Sequence, residues 1–302
     1  NCKMAFLLIS LFLLLLSACA QKYYFAGYSI RDGLSQSVVN CIFNDSKGYI
    51  WFGTQNGLNK YNGYTFEVFT HNPNDSNSIA NNWINGIAED KEANLWIATK
   101  GGLDKYSRKE KRVSKIYYSP PYNALITECI YDVKCARNGK IVVNMPPVLS
   151  VFDPITLQFN HFISPFDFDG SAKDNNIPLL EDNNGTIWIA STKGLAAFNP
   201  HTATFRVFNH RPTDPESLSG DNITALFQDP NGDLWVGTSS GLNRLRPEGT
   251  GFDHYIHEQL NEFSLSHNFV RSIVADGSGN LWIATEGGGL NRMSRGNSNQ
   301  EL

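Results

Sequence analysis

The residues best able to do chemistry in this chain are its recurring aspartates, a pair of histidines and three cysteines. "HYIHE", His254 to Glu258, carries two histidines at a spacing that a zinc site uses when a helix puts both on one face. Here the segment reads as an outer strand and a loop, so no metal is assigned. Asp45, Asp90, Asp182, Asp229 and Asp276 could be calcium ligands or members of a carboxylate pair. They recur at one place in five similar segments, which makes them five turn residues instead. Cys129 and Cys135 stand in what reads as one strand, separated by about 20 Å of extended chain, too far for a disulfide. With Cys41 they read as small apolar core residues. There is no nucleophile elbow, phosphate-binding loop or recognisable Cys–His pair. No catalytic set and no cofactor is expected.

The elements that must position any site come from repetition. "NDSKGYIWFGTQNGLNKY" starts at Asn44, and "QDPNGDLWVGTSSGLNRL" at Gln228 says nearly the same thing. The landmark tryptophans are Trp51, Trp96, Trp188, Trp235 and Trp282, spaced 45, 92, 47 and 47 apart. The long gap holds a decayed copy with Val142 at the tryptophan position and Pro146-Pro147 at its glycine turn. A period of this size signals a repeat architecture. Six residues before each tryptophan is the aspartate; three before it is Gly48, Gly185, Gly232 or Gly279, with Ala93 the exception. Three after it is a hydroxyl (Thr54, Thr99, Ser191, Thr238, Thr285), and six after it a glycine (Gly57, Gly102, Gly194, Gly241, Gly288).

Each column has a physical reason. Aspartate bonds backbone amides in a tight turn and glycine supplies positive φ. "LWIAT" is a short apolar run, hence a buried strand. Its tryptophan fills the gap between adjacent sheets. With one strand upstream and outer strands such as "FEVF" and "FRVF", each unit has four strands and no helical periodicity. A lone four-stranded sheet cannot bury both faces; radial packing does so. The expected fold is an all-β propeller of four-stranded blades with six units, either a closed six-bladed ring or a truncated seven-bladed one. "YYFAGYSI", Tyr23 to Ile30, aligns with the outer strands and is expected to complete the last blade. The propeller is placed at 21–294 and a polar tail or truncation point at 295–302.

Composition bounds the partners. The 302 residues carry a formal net charge of -4, so nothing favours nucleic acid or an anionic membrane. The densest charge run, "SRKEKR" at Ser107 to Arg112, reads as a solvated turn. Residues 1–20 read as a signal peptide: "AFLLISLFLLLLS" is too short to span a bilayer comfortably but suits an h-region. It ends in "LSACAQ", where Cys19 is a lipidation candidate in a lipobox-like setting and Ala18-Cys19-Ala20 equally fits ordinary signal peptidase. Both imply export.

The pattern D-x-x-G-x-[IL]-W-[IVF]-[GA]-[TS]-x-x-G-[LI]-x-[KR] resembles the two-component regulator propeller repeat, over roughly Tyr23 to Ser294. The resemblance implies the periplasmic sensor region of a Bacteroidetes hybrid sensor histidine kinase responding to oligosaccharides, with the kinase region outside this chain. It also implies a homodimer through the parent receptor, a place on the periplasmic side of the inner membrane, and no nucleic acid bound by this segment. The alternative is a stand-alone exported propeller, such as an outer-membrane lipoprotein, acting as a binding or scaffold module. Propellers bind at the face formed by the loops entering each inner strand and those joining the second and third strands. Sugars call for aromatic walls with a few polar groups. Residues that break the repeat there are the candidates: Trp83, Asn85, Tyr118, Tyr122, Tyr131, Phe166, Phe168 and Arg271. Asn40, Asn85, Tyr131, Thr224 and Arg271 share one inner-strand column.

Overall fold

The computed structural model describes residues 27–116, 129–166 and 178–294. Cys19, Tyr118, Tyr122, Phe168, the leader and the tail lie outside them. The described residues form a six-blade propeller of antiparallel sheets, each ordered as in sequence. The first sheet holds β1 (Val39–Asn44), β2 (Ile50–Thr54), β3 (Gly57–Tyr61) and β4 (Phe66–Phe69). The second holds β5 (Ile84–Glu89), β6 (Leu95–Thr99), β7 (Gly102–Ser107) and β8 (Arg112–Ile116). The third, built on the decayed unit, holds β9 (Asp132–Cys135), β10 (Ile141–Met145), β11 (Val148–Asp153) and β12 (Gln158–Ile163). The fourth holds β13 (Leu179–Glu181), β14 (Ile187–Ser191), β15 (Gly194–Asn199) and β16 (Thr204–Phe208). The fifth holds β17 (Ile223–Gln228), β18 (Leu234–Thr238), β19 (Gly241–Leu245) and β20 (Phe252–Tyr255). The sixth has three strands among the described residues, β21 (Val270–Ala275), β22 (Leu281–Thr285) and β23 (Gly289–Met293).

The landmark residues of the first five sheets look forward onto the next sheet. Trp51 packs with Ile84, Leu95 and Ile97. Trp96 packs with Val133, Ile141 and Val143. Val142 keeps this role with Ile187 and Ile189, Trp188 with Ile223 and Val236, and Trp235 with Val270 and Ile283. Large aromatic surfaces bury much apolar area per residue, and here they do so together with Ile, Leu and Val between the sheets. The same columns open at the two ends of the series. Ile42 is 67% exposed where its second-sheet counterpart Ile87 is 9%, and Leu290 is 63% where Leu103 is 3%. Among the described residues, the sixth sheet does not pack on the first as consecutive sheets pack on one another.

The turn chemistry goes beyond amide capping. Asp45 Oδ1 accepts from the Lys47 and Tyr49 amides at 2.9 Å, while its Oδ2 accepts from the Trp51 indole Nε1 at 2.6 Å. The same indole bond recurs at Trp96, Trp188, Trp235 and Trp282, over 2.9, 2.8, 3.1 and 3.0 Å. Ala93 adopts the glycine conformation of its column, with φ 61°. The hydroxyl column donates to the carbonyl of the glycine that follows, as Thr54 does to Gly57 at 2.9 Å. In the last unit an extra glycine shifts that role to Gly289, which accepts from Thr285 at 3.1 Å.

Three expectations are corrected. Gly27 to Ser29 form no strand, and Ile30–Asp32 is a 3-10 turn. Tyr28 lies against Tyr61 and Phe66 of the first sheet, with ring centroids 5.3 and 5.8 Å away, so this part of the segment does not complete the last blade. Cys129 precedes β9 rather than sharing a strand with Cys135; all three cysteines in the described residues are free thiols. Arg108 is not solvated: only 17% of its side chain is exposed, and it bonds Asp45 and Glu89 between the first and second sheets. Short turns let a long guanidinium fold back into the cleft beside them.

One buried position departs from its column at a cost. Asn59 takes the Ser35 amide on its Oδ1 and donates Nδ2 to Ser35 Oγ and the Phe52 carbonyl; Asn243 repeats this with Ser219 and Val236. The second sheet has Asp104 there, opposite Ala80. Its Oδ2 accepts the Ala80 amide at 2.7 Å, but its buried Oδ1 has no partner. Burial pushes this carboxyl from 3.8 up to about 7. The folded state therefore holds a proton that the unfolded chain has lost between those values. The stability conferred by that proton is complete below pH 3.8 and gone above about 7. Asp104→Asn is expected to raise stability at pH 8 by roughly 2–4 kcal/mol and to flatten its decline between pH 4 and 7. Urea unfolding across pH checks this, and an unchanged midpoint at pH 8 refutes it.

Candidate functional site

The inner strands start at one face of the propeller, and their first residues are irregular. The pairing of inner and second strands slips at Asn40, Asn85, Thr224 and Arg271, each the extra residue of a bulge. A bulge re-aims its side chain toward the neighbouring strand. Asn40 Nδ2 donates to the Ile84 carbonyl at 2.8 Å, Asn85 Nδ2 to the Ile130 carbonyl at 2.7 Å and Thr224 Oγ1 to the Val270 carbonyl at 2.5 Å. Each acceptor lies on or just before the inner strand of the next sheet. From the third sheet, Asp132 Oδ2 reaches forward in the opposite sense and accepts the Leu179 amide at 3.0 Å. These bonds latch the first, second, third and fifth sheets each to its successor around the central axis.

Arg271 holds the same column in the last sheet. It turns back to Glu286, with Nη2 2.6 Å from Oε2, and covers the Phe269 ring at 4.4 Å. Half of its side chain remains exposed. It is a paired residue of the face.

Three inner strands, β1, β5 and β9, wall a groove of about 440 Å³ that includes Asn40, Asn85, Tyr131, Asp132 and Lys134. Its floor is close-packed: a side chain on Gly86 would strike the Asp132 carboxylate. Burial raises the Asp132 carboxyl and the Tyr131 phenol above their ordinary values. Tyr131 also reaches the cluster that contains Trp188 and Ile223.

Trp83 precedes β5 on the same face. Lys100, from the loop joining β6 and β7, sits 3.2 Å from its ring centroid. The indole Nε1 of Trp83 and Oδ1 of Asn85 are buried without hydrogen-bond partners in the protein. Buried polar atoms of this kind are uncommon and point to strain or to a missing partner. Cys129 lies beside them, its Sγ 3.7 Å from Asn85 Nδ2. Burial raises its thiol, so it is not an activated nucleophile.

The structure thus brings Trp83, Asn85 and Tyr131 to one side of the face, with Arg271 in a different sheet. Phe166 packs against the cluster between the third and fourth sheets. His254 and His257 contact separate backbone carbonyls, of Ser217 and Leu265. Sequence reasoning missed Lys100 and Asp132. Lys100 belongs to a column with Gln55, Thr192, Ser239 and Glu286, which varies as freely as the inner-strand column; that variation was the available signal.

The comparisons agree with the repeat. The two-component regulator propeller family matches at residues 33–56, 217–240 and 264–287, so the chain carries that repeat. Histidine kinase P4 of Formosa agariphila is 42% identical over 74 residues, which are 24% of this chain and 5% of that protein. The extracellular domain of a hybrid two-component system from B. thetaiotaomicron is 26% identical with a TM-score of 0.50, over 90% of this chain and 42% of that one. This chain therefore spans a minor part of both. A catalytically inactive virginiamycin B lyase from Staphylococcus aureus has a TM-score of 0.62 at 14% identity, over 90% of this chain and 85% of that one, a likeness of fold alone.

The latch makes a structural demand on a candidate binding residue. Asn85→Ala is expected to lower unfolding free energy by about 1–3 kcal/mol, because the Ile130 carbonyl loses its donor. Arg271→Ala, at an exposed ion pair, should cost under about 1 kcal/mol. Equal effects of the two in chemical unfolding would remove the latch assignment.

Proposed function

We propose that this chain, built of two-component regulator propeller repeats, is the exported ligand-sensing propeller of a hybrid sensor histidine kinase, and that it responds to oligosaccharides. Its likeness to the extracellular domain of such a system supports the sensor role. The observation that carries ligand binding is the asymmetry of the inner-strand face. The latch of Asn85 is repeated elsewhere, but among the described residues its grouping with Trp83, Lys100 and Tyr131 into an aromatic and polar wall is not, and that wall stands beside a groove of about 440 Å³.

The wall has what a pyranose needs. The Trp83 ring offers a flat apolar face once Lys100 moves off it, and Lys100 then becomes a donor to sugar hydroxyls. Tyr131 adds a second aromatic edge, while Asp132 and Asn40 on the groove wall present polar atoms. Few, well-placed polar groups on an apolar wall are the usual makeup of small-ligand sites. Ligand capture on this face would pull on the latches between consecutive sheets, giving the propeller a route to report occupancy to segments beyond it.

The test is a calorimetric screen of the purified chain against oligosaccharides from plant, algal and host polysaccharides. At least one should bind saturably, and Trp83→Ala should weaken it by about tenfold or more while leaving the far-ultraviolet circular dichroism of the fold unchanged. Binding that Trp83→Ala and Tyr131→Ala leave intact would move the site elsewhere. Absence of saturable binding across the screen would overturn the oligosaccharide reading.

A further inference from the structure

The clefts between consecutive sheets differ in what fills them. Between the first and second sheets, two cations of the protein's own occupy the space. Lys60, cross-strand partner of Trp51, covers the Tyr49 and Trp51 rings at 4.4 and 5.8 Å. Arg108 enters from the β7–β8 turn. Its Nη2 donates to Asp45 Oδ2 at 2.7 Å and Glu89 Oε1 at 3.1 Å, and its Nε to the Ala93 carbonyl at 2.6 Å. Burial raises Asp45, but the hydrogen bonds from Trp51 and Arg108 and from the turn amides outweigh it and hold the carboxyl below its ordinary value.

Between the fourth and fifth sheets the acceptors of that arrangement recur and the cations do not. Asp182 holds the Asp45 column, Gln228 the Glu89 column and Gly232 the Ala93 column, and all three line an open cleft of about 580 Å³. Gln228 Oε1 accepts the Asn183 amide at 2.8 Å and its Nε2 donates to the Gly232 carbonyl at 3.0 Å, so a guest cation must displace that amide from the carbonyl. Asp182 Oδ2 accepts the Trp188 indole at 2.8 Å, just as Asp45 Oδ2 accepts that of Trp51 before taking Arg108 as well. Ala197 pairs across the strand with Trp188 where Lys60 pairs with Trp51. Pro247 stands in the Arg108 column and cannot reach inward. The other clefts lack one of the two side-chain acceptors: Cys135, Ala136 and Ala275 interrupt the columns there.

We propose that this cleft is a docking pocket for an arginine side chain presented by a partner protein, received as the chain receives its own Arg108. A planar guanidinium has donors enough for two side-chain oxygens and a carbonyl, and it stacks on an indole face. The positive groups nearby are accounted for. Arg246 is held by Asp253 at 2.9 Å and Glu216 at 2.5 Å, and Arg244 by Asp253 at 2.7 Å. Arg206 stands exposed at the rim over the Phe208 ring at 4.7 Å, where the first sheet has Glu67. It weakens a guest cation without occupying its seat.

The test titrates the full chain by calorimetry with acetyl-Gly-Arg-Gly-amide and with the citrulline peptide of the same shape. The arginine peptide should bind at one site, and the citrulline peptide about tenfold more weakly or worse. Ala197→Lys combined with Pro247→Arg rebuilds the filled cleft and should abolish binding; Ala197→Lys alone serves if the pair does not fold. Arg206→Glu should tighten binding several-fold. No saturable binding, equal binding of the two peptides, or undiminished binding to the filled variant would each overturn the proposal. Oligosaccharide binding at the inner-strand face should be unaffected by these substitutions.

Discussion

The hydrogen bond from a buried indole to the aspartate six residues before it is the constraint on which the rest of this structure depends. The carboxylate accepts two turn amides on one oxygen and the tryptophan on the other. That arrangement fixes the turn, the rotamer of the tryptophan and the direction in which its ring leaves the sheet. Because the ring then lies against the next sheet, a local turn also sets the spacing between sheets. Leaving either group unpaired would bury an orphan donor or a lone charge, which costs more than the bond itself contributes. The third unit shows the other stable solution: with Val142 and Ala136 in these columns, both polar groups are absent and the junction is apolar.

Sheet-to-sheet order has a second source at the axis. Bulged residues at the start of the inner strands donate to the next sheet, and Asp132 accepts from it. These contacts are short in reach and differ in chemistry from sheet to sheet. A face built on them is stiff around most of its circumference. It can vary where a latch residue also meets the groove, as Asn85 does beside Tyr131 and Asp132. Asymmetry within a repeat is where recognition has room to arise, because the repeated positions are already committed to holding the fold.

The same logic separates the clefts at the opposite, turn-bearing side. Their walls are made by the repeat and are alike; their contents are set by two columns that face them, and these vary freely. Where both columns carry cations, the cleft is closed by Lys60 and Arg108. Where they carry Ala197 and Pro247, it stands open. A repeat protein can thus present several surfaces of similar shape and different occupancy.

By itself the sequence determined the all-β repeat, the strand count per unit, the turn glycines and the tryptophans that fill the gap between sheets, because these follow from local periodicity and turn stereochemistry. It also pointed to the inner-strand column and to Trp83 as departures from the pattern. It could not tell that Asn85 is tied to Ile130, that Lys100 covers Trp83, or that Arg108 is drawn out of solvent, since each joins residues of different sheets or loops. Nor could it place Tyr28 on the first sheet rather than on the last. Those outcomes depend on the angle and distance at which one sheet meets the next, and that geometry exists only after the sheets have packed. The candidate site is made of such contacts, so the residues were visible in the sequence while their grouping was decided by the tertiary structure.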